Sequence, residues 1–220
     1  MNPARAPYQA CIFDFDDLLA DTKPVWVAAE EVLLARLGRH WSEEVAIRWR
    51  GLNAADVART IHELYCPSWA LAESQKLLRD ALVAAYRAAP DFAPLPGAVE
   101  LVRALHRAYP LAVASGSPME GIEAAVRRMG VRECFAVVVS SEEVARGKPA
   151  PDVFLAAAAR LGVAPESCLV FEDSLAGAKA ARAAGMACFT VPSAEAEAVG
   201  ALSTRVLRTL ADANPILTPA

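Results

Sequence analysis

Asp14, Asp16 and Asp17 follow directly on the apolar stretch CIF and place three carboxylates within four residues. Carboxylates so close together repel one another, and each costs free energy to desolvate unless positive charge is supplied. The cluster therefore predicts either a well-hydrated loop or a cation site. The other polar motifs of the chain favour the cation site.

Polar motifs also end the later apolar runs of the sequence. The motif SGS, Ser115–Ser117, ends the second run, Lys148 lies in GKPAPD after the third, and Glu172 and Asp173 end the fourth. Ligands of open parallel sheets bind outside the carboxyl ends of the strands, so we expect these side chains to converge on one crevice. Ser174, next to the acidic pair, is expected to be the N-cap of the following helix.

This set of side chains meets the requirements of phosphoryl transfer from a monoester. A carboxylate cannot approach a dianionic phosphate without a cation, and Mg²⁺ prefers oxygen ligands, so we expect Asp14, Asp173 and the backbone carbonyl of Asp16 to bind it. Asp14 would attack phosphorus and form an aspartyl-phosphate. Asp16 would protonate the leaving alkoxide and later take a proton from the hydrolytic water. Ser115 would hold a phosphoryl oxygen, and Lys148 would neutralise charge on the nucleophile and the phosphoryl group.

Short apolar runs alternate with helical segments along most of the chain. This alternation predicts an α/β fold, a Rossmann-like parallel sheet with helices on both faces. The expected strands are Ala10–Phe15, Leu111–Gly116, Phe135–Ser140, Cys168–Asp173 and Ala187–Val191. The expected helices between them are Ala98–Ala108, Met119–Met129, Asp152–Leu161 and Leu175–Ala184.

The interval from Thr22 to Phe92 breaks the alternation, because it contains helical patterns such as Val25–Leu37 and Glu73–Ala88 and no convincing strand. The proline-rich segment Pro90–Gly97 is expected to be its closing linker. We predict an all-α cap domain that is inserted after the first strand and stands over the carboxyl edge of the sheet. The predicted boundaries are residues 21–94 for the cap and residues 1–20 and 95–220 for the catalytic core.

Composition bounds the possible partners. The net charge of −4 and the lack of a basic tract make nucleic acid an unexpected partner. No apolar run approaches the roughly 18 residues that span a bilayer, and the N-terminus does not resemble a secretory signal.

The five scattered cysteines without a C-x-x-C pair favour reduced, mostly buried thiols in a cytoplasmic protein over a disulfide or zinc role. A monomer is the default expectation, and residues 211–220 are expected to lie loosely on the surface.

Four motifs in order carry a family resemblance: DFDDLLADT, ASGS, GKPAPDVF and VFEDSLAGAKAARAAGM. Over nearly its whole length the chain resembles the haloacid dehalogenase superfamily, in the β-phosphoglucomutase-like subgroup with a helical cap. The resemblance implies Asp14 as the nucleophile, Asp16 as the acid/base group, and Ser115 and Lys148 as contacts of the phosphate and the nucleophile. It also implies that the acidic pair serves Mg²⁺, with Asp173 as a ligand and Glu172 bound directly or through water.

Three positions depart from the mutases of this subgroup, which carry a histidine, a basic residue and an arginine where this chain has Trp26, Pro118 and Ala54. A mutase needs such cations to hold a second phosphate while the sugar turns over. Their absence favours a phosphatase of a small phosphorylated metabolite, a sugar or polyol phosphate, over a phosphomutase. A haloacid dehalogenase is disfavoured because Asp16 is present, and a non-catalytic phosphate-binding protein is the remaining alternative.

Other candidate contacts lie close to these motifs. Relatives usually have glycine where this chain has Asp17; its charge either weakens phosphate binding or turns outward to solvent, and we favour the second. Gly116, Lys23, Trp26 and Arg50 are candidate substrate contacts, with Lys23 placed to receive a distal anion of the substrate. The four tryptophans of the cap interval are expected to lie mostly in its core.

Overall fold

The core of the protein is a parallel sheet whose strands follow the predicted apolar runs. The structure is a computed structural model that describes residues 8–88, 93–193, 195–213 and 217. Within these residues the sheet has six strands in the order β3-β2-β1-β4-β5-β6. The strands are β1 Ala10–Phe13, β2 Leu111–Ser115, β3 Val137–Ser140, β4 Cys168–Glu172, β5 Ala187–Thr190 and β6 Arg205–Val206. The predicted α/β class is confirmed, whereas β6 was not predicted because two exposed residues carry no periodic signal.

Within the described residues, helices follow each of the first five strands. The helices are α1 Lys23–Arg36, α2 Glu43–Ala46, α3 Ala54–Tyr65, α4 Leu71–Ala88, α5 Ala98–His106, α6 Met119–Arg128, α7 Asp152–Leu161, α8 Leu175–Ala183 and α9 Ala196–Gly200. Within the described ranges, no helix combines the length and the apolar character needed to cross a bilayer.

Alternate strand residues pack on the two faces of the sheet. Phe13 of β1 stacks on Phe171 of β4, with ring centroids 4.6 Å apart, in the larger apolar cluster. Ile12 points to the other face and packs in the cluster that contains Phe154 of α7. Both faces are therefore covered, which explains why the strands are apolar throughout rather than alternating. The strand cysteines Cys11, Cys168 and Cys188 are buried among these residues.

The chain leaves the sheet after β1, passes through α1–α4, and returns at α5. We refer to residues 23–88 as the helical insertion. Helix α4 packs against both α1 and α3, and Leu78, Leu82 and Tyr86 on α4 are fully buried. Of the four tryptophans, Trp49 is buried in the larger apolar cluster, and the half-buried Trp26 and Trp41 pack against that cluster. The expectation that the tryptophans lie mostly in the core is therefore confirmed in part, and Trp69 is half-buried. Of the predicted closing linker, residues 90–92 lie outside the described residues.

The C-terminal segment is more tightly packed than the sequence predicts. A short 3₁₀ turn, Leu210–Ala213, packs against α5, and Leu210, Ala213 and Leu217 are buried in the larger apolar cluster. The expectation of a loose surface segment is therefore wrong for Ala213 and Leu217, because three apolar side chains spaced three to four residues apart, from Leu210 onward, pack into a hydrophobic groove. Residues 214–216 and 218–220 lie outside the described part of the chain.

Candidate active site

The candidate site lies at the carboxyl ends of the central strands. Strand β1 pairs with β2 on one side and β4 on the other, so the strand order changes direction next to β1. Open α/β sheets bind ligands at such a switch point. A cavity of about 340 Å³ opens there and is lined by Asp14, Lys148 and Asp173 from the core and by residues of the helical insertion.

A buried ammonium group links two carboxylates at the base of this cavity. Lys148 Nζ donates to Asp14 Oδ1 at 2.5 Å and to Glu172 Oε1 at 2.6 Å. Oxygen atoms of Asp14, Glu172 and Asp173 all lie within 4.8 Å of one another. The structure thus brings together four predicted site residues that are up to 159 positions apart in the chain.

Among the described residues, the buried cluster has only one positively charged group to balance its three carboxylates. Burial raises the pKa of Asp14 and of Asp173 well above the usual value, and their acidic neighbours add to the effect. Burial alone would lower the pKa of Lys148, but the charges of Asp14 and Glu172 raise it, so Lys148 stays an ammonium. Three buried carboxylates share this single ammonium, and oxygen-rich sites of this kind suit hard divalent cations. The residues present therefore fit a metal ion held by Asp14 and Asp173.

Glu172 points inward and its oxygens are already engaged. Glu172 Oε2 accepts hydrogen bonds from the backbone N–H of Asp173 at 2.8 Å, the backbone N–H of Ser174 at 2.9 Å and the Ser174 hydroxyl at 3.0 Å. A Cβ at Gly177 would lie 1.7 Å from Glu172 Oε1, so α8 needs glycine at this position. Ser174 accepts from the Gly177 N–H at 3.0 Å, which confirms the predicted N-cap. This arrangement holds the Glu172 carboxylate against Lys148.

Asp16 lies on the other side of the site and accepts four hydrogen bonds. The hydroxyls of Ser115 and Ser117 each donate to Asp16 Oδ2 at 2.8 Å. The indole N–H of Trp26 donates to Oδ1 at 3.0 Å, and the Tyr86 hydroxyl donates to the same oxygen. The predicted phosphate contact Ser115 therefore directs its hydroxyl to Asp16 in this structure. The predicted substrate contact Trp26 lines the cavity and also holds Asp16.

Sequence reasoning missed Tyr86. The residue is fully buried on α4, seventy positions after Asp16, and no motif marks it. Burial raises the pKa of the Tyr86 hydroxyl, and the charge of Asp16 raises it further, so the phenol keeps its proton and donates. The nearby Ser117 hydroxyl lies 3.0 Å from the Tyr86 oxygen. The helical insertion and the core thus share the hydrogen bonds that hold Asp16.

Asp17 does not turn outward to solvent, and that prediction is wrong. Its backbone has φ of 56°, in the left-handed region that glycine adopts freely and that aspartate tolerates better than most residues. Asp17 Oδ1 accepts hydrogen bonds from the backbone N–H groups of Thr22 and Lys23, each at 3.1 Å. These N–H groups have no partner within helix α1, and a carboxylate at the N-terminus of a helix is favourable. The side chain therefore caps the helix that begins the insertion.

The remaining predicted substrate contacts, Lys23, Arg50 and Gly116, line the cavity. The two cations among them are already paired with a carboxylate. Lys23 Nζ lies 3.0 Å from Glu43 Oε2, and Arg50 forms an ion pair with the same carboxylate. Because Glu43 partly neutralises both cations, the expected attraction of Lys23 for a distal anion is weakened. Gly116 lies in the wall between the core and the insertion.

One loop of the insertion contacts the core loops of the site directly. The Ala54 N–H donates to the Gly116 carbonyl at 3.2 Å. A Cβ at Gly147 would lie 1.7 Å from Asn53 Nδ2, so only glycine lets the two loops come this close. Sequence reasoning did not single out Asn53, although its buried side chain also caps α3. The insertion therefore closes one side of the cavity.

Comparisons with known proteins match most of the chain. A family model for a hydrolase, haloacid dehalogenase-like hydrolase, matches residues 8–185. A probable pseudouridine-5'-phosphatase of Drosophila melanogaster is 36% identical and covers 93% of this chain and 91% of the relative. A fructose-1-phosphate phosphatase of Escherichia coli (strain K12) is 37% identical, covering 81% and 94%. The structure is similar to that of CbbY from Rhodobacter sphaeroides in complex with phosphate, with a TM-score of 0.80 and 29% identity over 94% and 96% of the chains.

Proposed function

The chain belongs to the haloacid dehalogenase-like hydrolase family, and from this premise we propose that it is a Mg²⁺-dependent phosphatase acting on a sugar or polyol phosphate through an aspartyl-phosphate. The observation that carries the proposal is the buried cluster of Asp14, Asp173, Glu172 and Lys148 at one edge of the sheet. Relatives named as phosphatases of pseudouridine 5'-phosphate and fructose 1-phosphate support the class of substrate.

Asp14 is the proposed nucleophile, and its Oδ1 is held by Lys148. The carboxylate attacks phosphorus and forms an acyl phosphate as the alkoxide leaves. Lys148 stabilises charge on both Asp14 and the transferring group, because its ammonium is buried and fixed by Glu172. Bound Mg²⁺, held by Asp14 and Asp173 with the Asp16 backbone carbonyl, would offset the repulsion between the nucleophile and the phosphate oxygens.

Asp16 is the proposed acid/base group. The four donors from Ser115, Ser117, Trp26 and Tyr86 fix its carboxyl beside the cavity. When it turns toward the substrate it protonates the leaving alkoxide, and it then takes a proton from the water that hydrolyses the acyl phosphate. Release from Asp16 would free the Ser115 hydroxyl to bind a phosphoryl oxygen.

The helical insertion is the proposed cap, with residues 21–94 as the unit that closes over the substrate. The contacts of Ala54 with Gly116 and of Asn53 with Gly147 support this role, since they join the insertion to the loops of the site. A closed cap excludes bulk water from the acyl phosphate. The cavity of about 340 Å³ is in the range of pockets that hold small metabolites.

Asp16→Ala is expected to slow hydrolysis of alkyl phosphates by about 10² to 10⁴-fold, because a poor leaving group needs its proton. Hydrolysis of p-nitrophenyl phosphate, whose leaving group needs little protonation, is expected to fall at least tenfold less. Steady-state kinetics on both esters measure the difference. Asp16→Asn keeps the shape of the side chain without a transferable proton and should match Asp16→Ala. Equal losses on the two esters would show that Asp16 is not the acid.

A phosphate-release screen over sugar, polyol and nucleotide monophosphates tests the proposed function. We expect turnover of at least one sugar or polyol phosphate with Mg²⁺, loss of that turnover with a chelator, and recovery when Mg²⁺ is restored. Isomerisation of a sugar phosphate with little phosphate release would instead identify a mutase. No release from any ester in the presence of Mg²⁺ would reject the proposal.

A further inference from the structure

The wall of the cavity contributed by the helical insertion carries a buried carboxylate that the reaction does not use. Glu30 on α1 lines the cavity and is only 5% exposed. The indole N–H of Trp41 donates to Glu30 Oε2 at 2.7 Å. Among the described residues no group donates a hydrogen bond of standard geometry to the other oxygen, Oε1. This oxygen is not fully buried, so a group bound in the cavity can donate a hydrogen bond to it.

The indole N–H of Trp49 is the complementary group. Trp49 lines the same cavity, is 2% exposed, and carries the only buried side-chain polar atom without a hydrogen-bond partner in the described part of the chain. Burial raises the pKa of the Glu30 carboxyl, and Trp49, Trp41 and the charge of Arg50 only partly offset the effect. Trp49 and Glu30 thus line the same cavity, and no hydrogen bond of standard geometry joins the Trp49 N–H to the Glu30 carboxylate.

A hydroxyl group suits an unpaired N–H beside an open carboxylate oxygen. It can accept a hydrogen bond from Trp49 Nε1 and donate one to Glu30 in the same place. A second phosphate or a carboxylate would be repelled by Glu30, and the two cations of the helical insertion that line the cavity, Lys23 and Arg50, are already paired with Glu43. An amine could pair with Glu30 but would leave the Trp49 N–H without an acceptor.

We propose that Glu30 and Trp49 form the subsite that binds a hydroxyl group of the substrate's alcohol portion. The subsite would thus select polyol or sugar monophosphates, whose alcohol portion is uncharged, over esters that carry a second anionic group. This inference rests on the proposed phosphatase function and narrows its substrate class. Glu30 and Trp49 would determine which substrate binds. They are separate from the core residues that catalyse cleavage of the phosphate ester.

Kinetics of Glu30→Gln and Trp49→Phe on four esters test the subsite. The esters are glycerol 3-phosphate, phosphoglycolate, phosphoethanolamine and p-nitrophenyl phosphate. For each variant we expect the kcat/KM ratio of glycerol 3-phosphate to p-nitrophenyl phosphate to fall by about ten- to a hundredfold, mostly through KM, because a site that pairs with a hydroxyl discriminates strongly. In Glu30→Gln the ratio of phosphoglycolate to glycerol 3-phosphate should rise, since the repelling charge is removed.

Glu31→Gln is the matched control. Glu31 is the next residue on α1 and accepts the Trp41 backbone N–H at 2.9 Å, but it does not line the cavity. This variant should keep the wild-type ratios. A change in Glu31→Gln equal to that in Glu30→Gln would show that both act only by holding the Trp41 loop, and the subsite would be rejected.

Other outcomes separate the subsite from the proposed function. Unchanged ratios in both subsite variants, with thermal unfolding like that of the wild type, would overturn the inference while leaving the phosphatase intact. Higher activity on phosphoethanolamine than on glycerol 3-phosphate would assign the wall to an amine instead. If the wild type hydrolyses none of these four esters, the phosphate-release screen over sugar, polyol and nucleotide monophosphates decides the proposed function. Tryptophan fluorescence of the Asp14→Asn protein then reads glycerol 3-phosphate binding directly, and no Glu30-dependent quenching would reject the subsite as well.

Discussion

Asp14→Asn is expected to lower kcat by at least ~10³-fold on every ester that the wild type hydrolyses, because removal of a nucleophile leaves only the catalysis that binding and charge supply. The carboxamide keeps the size of the side chain but lacks the charge needed to attack phosphorus. Its oxygen can still accept a hydrogen bond from Lys148, so the fold should persist. Single-turnover phosphate release and thermal unfolding measure the two effects.

Asp21→Asn is the matched control for this substitution. Asp21 is an exposed carboxylate in the same stretch of sequence, seven residues after the proposed nucleophile. Its variant should retain activity within about twofold, because Asp21 is an exposed residue that does not line the cavity. Hydrolysis by Asp14→Asn at a tenth of the wild-type rate or more would show that water attacks phosphorus directly. Acid-quenched wild type analysed by mass spectrometry should carry a phosphoryl group on Asp14.

Lys148→Met is expected to lower both activity and stability. The ammonium contacts Asp14 and Glu172, and all three side chains are buried. Removing one partner of a buried ion pair leaves uncompensated charge and typically costs about 3–5 kcal/mol of unfolding free energy. Loss of a fixed positive group beside the developing charge should also lower kcat by about 10² to 10³-fold. Urea unfolding in a chelator and steady-state kinetics with Mg²⁺ measure these effects.

Lys76→Met provides the comparison. Lys76 is an exposed residue of α4 whose partner Asp80 lies one helical turn away. Exposed pairs of this kind contribute about 0.3–0.5 kcal/mol, so stability and activity should hardly change. A Lys148→Met protein as stable as Lys76→Met would mean that the three carboxylates do not depend on the ammonium. The charge balance that supports the proposed metal site would then be wrong.

The elements of the core could be predicted from the sequence because their signals are local. Each of the first five strands is a short apolar run, and α7, Asp152–Leu161, matches its predicted bounds. The strand-end motifs identified Asp14, Lys148 and the acidic pair, since parallel strands bring their carboxyl ends to one edge. The resemblance to the haloacid dehalogenase superfamily is confirmed by the family model.

The surroundings of Asp16 could not be predicted. Two of its four donors, Trp26 and Tyr86, come from opposite ends of the helical insertion, and their positions depend on how α1 and α4 pack. Asp17 was misjudged because its partners are backbone N–H groups at the start of α1 rather than charged side chains. The buried C-terminal residue Leu217 likewise needs a groove made by other elements.

The sequence by itself determined the fold class, the order of the strands along the chain and the side chains at their carboxyl ends, because these depend on periodicity and on chain direction. Only the tertiary structure decided that Glu172 is turned to Lys148 and that Glu30 and Trp49 meet at one wall of the cavity. Such pairs join residues from separate elements. Their meeting depends on the packing of whole helices against the sheet, and no local pattern of residues records that packing.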